Sequence, residues 1–121
     1  MEKAEAKNGE GIGSDRRKII IVEGTSDRDR LLAILAEEVT ILCTNGTLSY
    51  QERERLAGGL DADEIYVLTD ADEAGNTLRR QLRTEIPQAR HLYTRKLYRE
   101  IATTPSEYLA TILNKAHFAV K

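Results

Sequence analysis

The sequence predicts an α/β fold: a three-layer, Rossmann-like domain built on a mainly parallel four-stranded sheet, with an added C-terminal helix. Three observations predict it. Runs rich in Ile and Val at 18–22 and 64–69 have the length and composition of buried strands. Each run ends abruptly in carboxylates and a glycine, Glu23-Gly24 in one case and Asp70-Ala71-Asp72-Glu73-Ala74-Gly75 in the other. The stretches between strands carry helical apolar spacing, and strands that alternate with helices imply parallel βα units.

Taken in order, residues 1–17 are polar, contain glycine and have almost nothing to bury, so they predict a flexible tail. Residues 18–121 form the single domain, and 18–22 is its first strand. Ser26 is positioned to cap the next helix, with Asp29 in the first turn, where negative charge complements the macrodipole. Leu31, Leu32, Ile34 and Leu35 supply that helix's apolar face. The second strand is 39–43, followed by the turn Thr44-Asn45-Gly46-Thr47. Ser49-Tyr50-Gln51-Glu52 is a capping-box pattern that starts a second helix. Gly58-Gly59 stops it, since glycine takes the left-handed cap at no steric cost.

The third strand spans 64–69. Asp72 then occupies the N-cap position of a third helix, whose inward face is marked by Ala74, Leu78 and Leu82, four residues apart. Pro87 ends that helix. A short fourth strand covers 89–94. Thr104-Pro105-Ser106-Glu107 combines a capping box with proline at the first helical position. The C-terminal helix therefore runs from 105 to about 117, with Leu109, Ile112, Leu113 and Ala116 packing inward.

Composition narrows the function classes. The chain has 121 residues, no Trp, one Phe and a formal charge of −2, so its core is aliphatic and no global field draws it to nucleic acid or membrane. Charge is uneven, however. Arg79, Arg80, Arg83, Arg90, Arg95, Lys96 and Arg99 fall within one stretch against the single acid Glu85. Such a stretch is either a solvated helix face with a basic loop or a phosphate-binding face. The lone cysteine, Cys43, excludes a disulfide framework or a cysteine-based zinc site within one chain. No run has the length or flanks of a membrane span or signal peptide, and a cytoplasmic protein is expected. His91 and His117 lack metal-ligand spacing and are read as ordinary.

The acids carry the chemistry. Ligands of open parallel sheets bind beyond the carboxyl ends of the strands. Glu23, Asp70 and Asp72 converge there if their strands are neighbours. Three carboxylates so placed repel by roughly 4 kcal/mol per pair at 4 Å and an effective dielectric near 20. A divalent cation removes that cost, and Mg²⁺ prefers oxygen ligands. Either motif also has a bland reading, because strands often end in an acid and a turn, and Asp72 can simply cap a helix. Capping and cation binding are compatible.

Ile21-Val22-Glu23-Gly24 and Thr69-Asp70-Ala71-Asp72-Glu73-Ala74-Gly75, with Thr44-Asn45-Gly46 between them, resemble the motifs of the Toprim domain. That domain is shared by topoisomerases, bacterial primases, recombination proteins and several nucleases. The resemblance covers 18–94 and is closest to ribonuclease M5, the maturase of 5S ribosomal RNA, and to small stand-alone Toprim proteins, where Ala-Gly and an Arg-Arg pair also follow the aspartates. It implies a Toprim fold, Mg²⁺ (or Mn²⁺) held by Asp70 and Asp72 with help from Glu23, and Glu23 as general acid or base. Nucleic acid is the implied partner, RNA over DNA. Gly24, Asn45, Gly46, Arg79, Arg80 and Arg83 are then the expected phosphate contacts, with Asp27 and Glu73 as second-tier acids. Two departures stand out. Thr25 replaces the lysine that typically follows Glu-Gly in ribonuclease M5, and that enzyme's further C-terminal domain has no counterpart. Strand cleavage with religation is not expected, since no separate domain supplies a tyrosine nucleophile. A nuclease is the leading expectation; a non-catalytic module that binds metal and nucleic acid and recruits a protein partner, or that dimerises, is the alternative.

Overall fold

The computed structural model describes residues 16–94 and 100–121. Its elements are β1 (Lys18–Val22), α1 (Thr25–Ile34), β2 (Thr40–Cys43), α2 (Tyr50–Ala57), β3 (Glu64–Leu68), α3 (Glu73–Glu85), β4 (Arg90–Leu92), a 3₁₀ turn (Ile101–Thr103) and α4 (Ser106–Lys115). The four strands form one parallel sheet in the order β2-β1-β3-β4. β1 and β3 are therefore neighbours at its centre, as convergence of the acidic motifs requires.

Strand alternation splits the core into two layers. Ile20, Val22, Tyr66 and Leu68 face α1 and α4, meeting Leu31, Ile34, Leu109 and Leu113. Ile21, Ile65 and Val67 face the other way, toward Leu56 of α2 and Leu78 and Leu82 of α3. Leu78 and Leu82 are fully buried; each such side chain contributes about 1.5–3 kcal/mol over leaving it in water.

The predicted helices all form, with local differences. α1 begins earlier than expected, at Thr25, and its N-cap is Gly24 rather than Ser26. The Asp27 carboxylate, at the third helical position, reaches back to accept from the Gly24 N–H at 3.2 Å, the return half of a capping box. Leu32 points outward and is exposed, while Leu31, Ile34 and Leu35 turn in. α2 matches its capping box in both directions, Ser49 accepting from Glu52 N–H and Glu52 accepting from Ser49 N–H. Gly59 takes the left-handed conformation, φ +99°, just past the helix end.

The inward face of α3 is Gly75, Leu78, Arg79 and Leu82, with Ala74 exposed at the rim. α4 lacks the expected capping box. Pro105 is its N-cap, and the Thr104 hydroxyl instead donates to the Glu100 carbonyl at 2.7 Å. Beyond α4 the chain returns to α1: Ala36 N–H donates to Ala119 O and Lys121 N–H to Ile34 O, each at 2.8 Å. Phe118 is buried edge-on against Tyr66, with ring centroids 4.7 Å apart. Arg16 and Arg17, expected to lie in a flexible tail, pair with Glu64 and Asp61. The rest of that predicted tail lies outside the described residues.

Candidate functional site

Glu23 follows β1 directly, and Asp70 lies two residues beyond β3. The inner-strand pairing, Ile21 beside Val67, brings these ends together. The turn after β2 is stitched to the same place: Asn45 N–H donates to Glu23 O at 2.7 Å and Thr44 N–H to Val22 O at 3.0 Å. Asn45 and Gly46 reverse the chain there through successive positive φ angles, 58° and 116°. A residue with φ > 0 is comfortable as glycine and tolerable as asparagine.

These elements enclose an open cavity of about 390 Å³ at the carboxyl edge of the sheet, lined by Glu23, Gly24, Ser26, Asp27, Asn45, Gly46, Asp70, Asp72, Ala74, Glu100 and Ala102. A larger cavity of about 600 Å³ lies at the opposite edge, among Arg16, Arg17, Lys18, Glu37 and Asp61. Its charges already neutralise one another, since Arg17 pairs with Asp61 and Lys18 with Glu37. The carboxyl-edge cavity is the one with uncompensated charge.

The acids there are held individually. Asp72 is the N-cap of α3, one oxygen accepting from Gly75 N–H at 2.7 Å. Gly75 has no room for a side chain: a Cβ would overlap the carbonyl oxygen of Asp70 and lie 3.0 Å from its carbon. α3 thus starts pressed against the Asp70 backbone, with the Thr69 hydroxyl bonded to Gly75 O at 3.2 Å. Asp70 Oδ1 accepts from Ile101 N–H at 2.8 Å, which ties the 3₁₀ turn to the site. Arg30 of α1 holds the same turn from beneath, donating to the carbonyls of Ile101, Ala102 and Thr104.

Electrostatics follow from this crowding. Burial first, then the Asp70, Asp72 and Asp27 carboxylates, raise Glu23 above its ordinary value. Burial raises Asp70 too, opposed by the Ile101 N–H and reinforced by Asp27, Asp72 and Glu100. Asp27 is raised by burial and by Glu100, against the Gly24 N–H. Each group favours a proton more than a free carboxylate does.

Sequence reasoning missed Glu100. It reaches the cavity because the chain recrosses the strand ends before α4, and the only signal was an acid directly after the basic run. Glu73 is the first residue of α3, exposed and outside the cavity lining. The arginines divide. Arg79 is buried and committed: it donates to Leu92 O, Thr69 O and His91 Nδ1, and stacks on Tyr93 at 4.1 Å. It pins α3 to β3 and β4 and is not offered to a ligand. Arg80 and Arg83 are exposed on α3. Arg95, Lys96 and Arg99 lie outside the described residues.

Compared with family models, residues 18–102 match the Toprim domain. The chain belongs to the Toprim domain family. An uncharacterised protein of Bacillus subtilis, YusF, is 42% identical over 103 residues, covering 85% of this chain and 70% of that protein. A solved small Toprim domain protein from Bacillus stearothermophilus is 48% identical, covers 89% of this chain and 92% of that one, and superposes with a TM-score of 0.84. Toprim domains are associated with metal-dependent phosphoryl transfer, generally with Mg²⁺ and nucleic acid. The donor set of this Toprim cavity fits such an ion, offering carboxylate oxygens whose mutual repulsion a dication relieves. Among the described residues no three acids or histidines form a ready-made cage. No helix among the described residues is long and apolar enough to cross a membrane.

Proposed function

We propose that this Toprim domain cleaves nucleic-acid phosphodiesters with Mg²⁺, RNA being the favoured substrate, in the manner its resemblance to ribonuclease M5 implies. The observation that carries the reading is the gathering of Glu23, Asp70 and Asp72 on one cavity at the ends of the two central strands. Asp70 and Asp72 would hold the ion, which when bound polarises a phosphodiester and lowers the pKa of its water. Glu23, whose carboxyl burial and the neighbouring acids raise above its ordinary value, moves the proton. The Asn45 side chain and the half-buried Gly46 backbone N–H offer hydrogen bonds to phosphate oxygens, whereas the Gly24 N–H is already given to Asp27. Arg80 and Arg83 attract the chain from α3.

One observation favours the second reading, a binding module that recruits an enzyme. No lysine or arginine lines the described part of the cavity, and Thr25 stands where a lysine would supply charge. The deciding experiment incubates the protein with labelled single-stranded DNA, duplex DNA, structured RNA and a 5S rRNA precursor in Mg²⁺ or Mn²⁺. Cutting that both Glu23→Gln and Asp70→Asn abolish supports the nuclease. Salt-sensitive binding without cutting supports the module.

A further inference from the structure

The carboxyl edge of the sheet continues past the acidic cavity to β4, where Tyr93 follows the last strand residue. Leu68 pairs with Leu92, so Tyr93 emerges on the strand next to Asp70, and neighbouring strands lie about 4.8 Å apart. Tyr93 is 55% exposed, yet it is held. The Arg79 guanidinium stacks on its ring at 4.1 Å, and Arg83 donates to its hydroxyl at 2.9 Å. An exposed ring fixed at both body and tip has already lost the rotamer freedom that binding would otherwise cost. Tyr50, 74% exposed, has neither a ring contact nor a hydroxyl bond of this kind among the described residues.

Charge around Tyr93 matches one class of partner. Among the described residues Arg80 and Arg83 have no acid partner, a condition they share with Arg55 and Arg90, but only Arg83 reaches the Tyr93 hydroxyl. Beside Tyr93 a third cavity of about 320 Å³ runs between β4 and α4, walled by Leu92, Tyr108 and Ile112 with Lys115 among its lining. A fixed aromatic face with cations around it is the arrangement that binds an unpaired base and its phosphates.

We propose that Tyr93 is a stacking platform for one unpaired base of a single-stranded nucleic acid that passes over the acidic cavity, with Arg83 and Arg80 at its phosphates. This rests on nucleic acid being the ligand, and it narrows that reading to single strands.

The test measures binding of fluorescein-labelled eight-nucleotide RNA, the same DNA and a blunt duplex by anisotropy, on the full chain in Mg²⁺. Tyr93→Leu is expected to weaken single-strand binding about tenfold, within the range for losing one base–aromatic stack. Tyr93→Phe should keep most of the affinity, Tyr50→Leu all of it, and duplex binding should not change. If Tyr93→Leu does not fold, the wild-type protein with an oligonucleotide scanned by single abasic sites gives the same answer, one position costing about tenfold. Equal single-strand affinity for wild type and Tyr93→Leu, or a flat abasic scan, overturns the platform. If cleavage persists in that case, the nuclease reading survives it. A Tyr93-dependent affinity without cleavage supports the platform and leaves the binding-module reading. No nucleic-acid binding by wild type removes both.

Discussion

Gly75→Ala is the sharpest perturbation this architecture offers. In an ordinary helix the change is favourable by about 1 kcal/mol. Here the new methyl would collide with the Asp70 carbonyl, so the start of α3 must move away from the loop after β3. Overpacking of that kind costs about 1–3 kcal/mol. The same movement lengthens the Asp72–Gly75 cap bond, now 2.7 Å, which adds about 1 kcal/mol, and it strands the buried Thr69 hydroxyl, at about 1–3 kcal/mol. Set against the propensity gain, the net loss is on the order of 2–6 kcal/mol. With about 4 °C per kcal/mol for a domain of this size, Tm falls by about 8–24 °C. Thermal unfolding followed by circular dichroism measures the loss. Gly59→Ala is the control. It meets no atom within 4 Å and is strained only by its φ of +99°, so it should cost about 1 kcal/mol. A Gly75→Ala protein as stable as wild type would refute the argument that contact between α3 and the Asp70 backbone holds the site in shape.

Two further outcomes concern the charges. In EDTA, Asp70→Asn should unfold a few degrees above wild type at pH 7, because raised carboxyl values in the folded state mean that stability declines as pH rises through the carboxylate range. The advantage should vanish near pH 3, where the unfolded carboxyls are also protonated, and shrink when Mg²⁺ is added; a Tm difference independent of pH and metal would contradict it. His91 is pushed down to about 4 by burial and by Arg79 and Arg83. Its contribution is therefore present above pH 6.5 and lost as pH falls toward 4, so His91→Gln should flatten the acid side of a stability–pH curve measured by urea unfolding.

The sheet and its order of elements were legible because buried parallel strands read as unbroken apolar runs, and the glycine and capping signals between them are local. The acidic cavity was legible for the same reason: Glu23 and Asp70 are fixed by strand ends, and strand ends are marked in the sequence. Arg79 was expected to be a phosphate contact from the Arg-Arg pair that the resemblance carries, yet the α3 face rotates Arg79 inward beside Gly75 and Leu78. Only the position of β4 decides that, since its Leu92 carbonyl is what the guanidinium meets. Glu100 and the Ile101 amide were invisible because their approach to Asp70 is a long-range contact across 31 residues. Phe118 was missed for a similar reason, since burial after the end of α4 depends on the chain folding back to α1.

Glu23 and Asp70 rise from the inner pair of strands, whereas Asn45 and Tyr93 rise from the outer pair. An inner strand has partners on both sides and little freedom to drift, but an outer strand can accept an altered turn without disturbing the sheet. A changed turn at the margins of this edge would therefore alter what stands beside the acidic centre without moving Glu23 or Asp70.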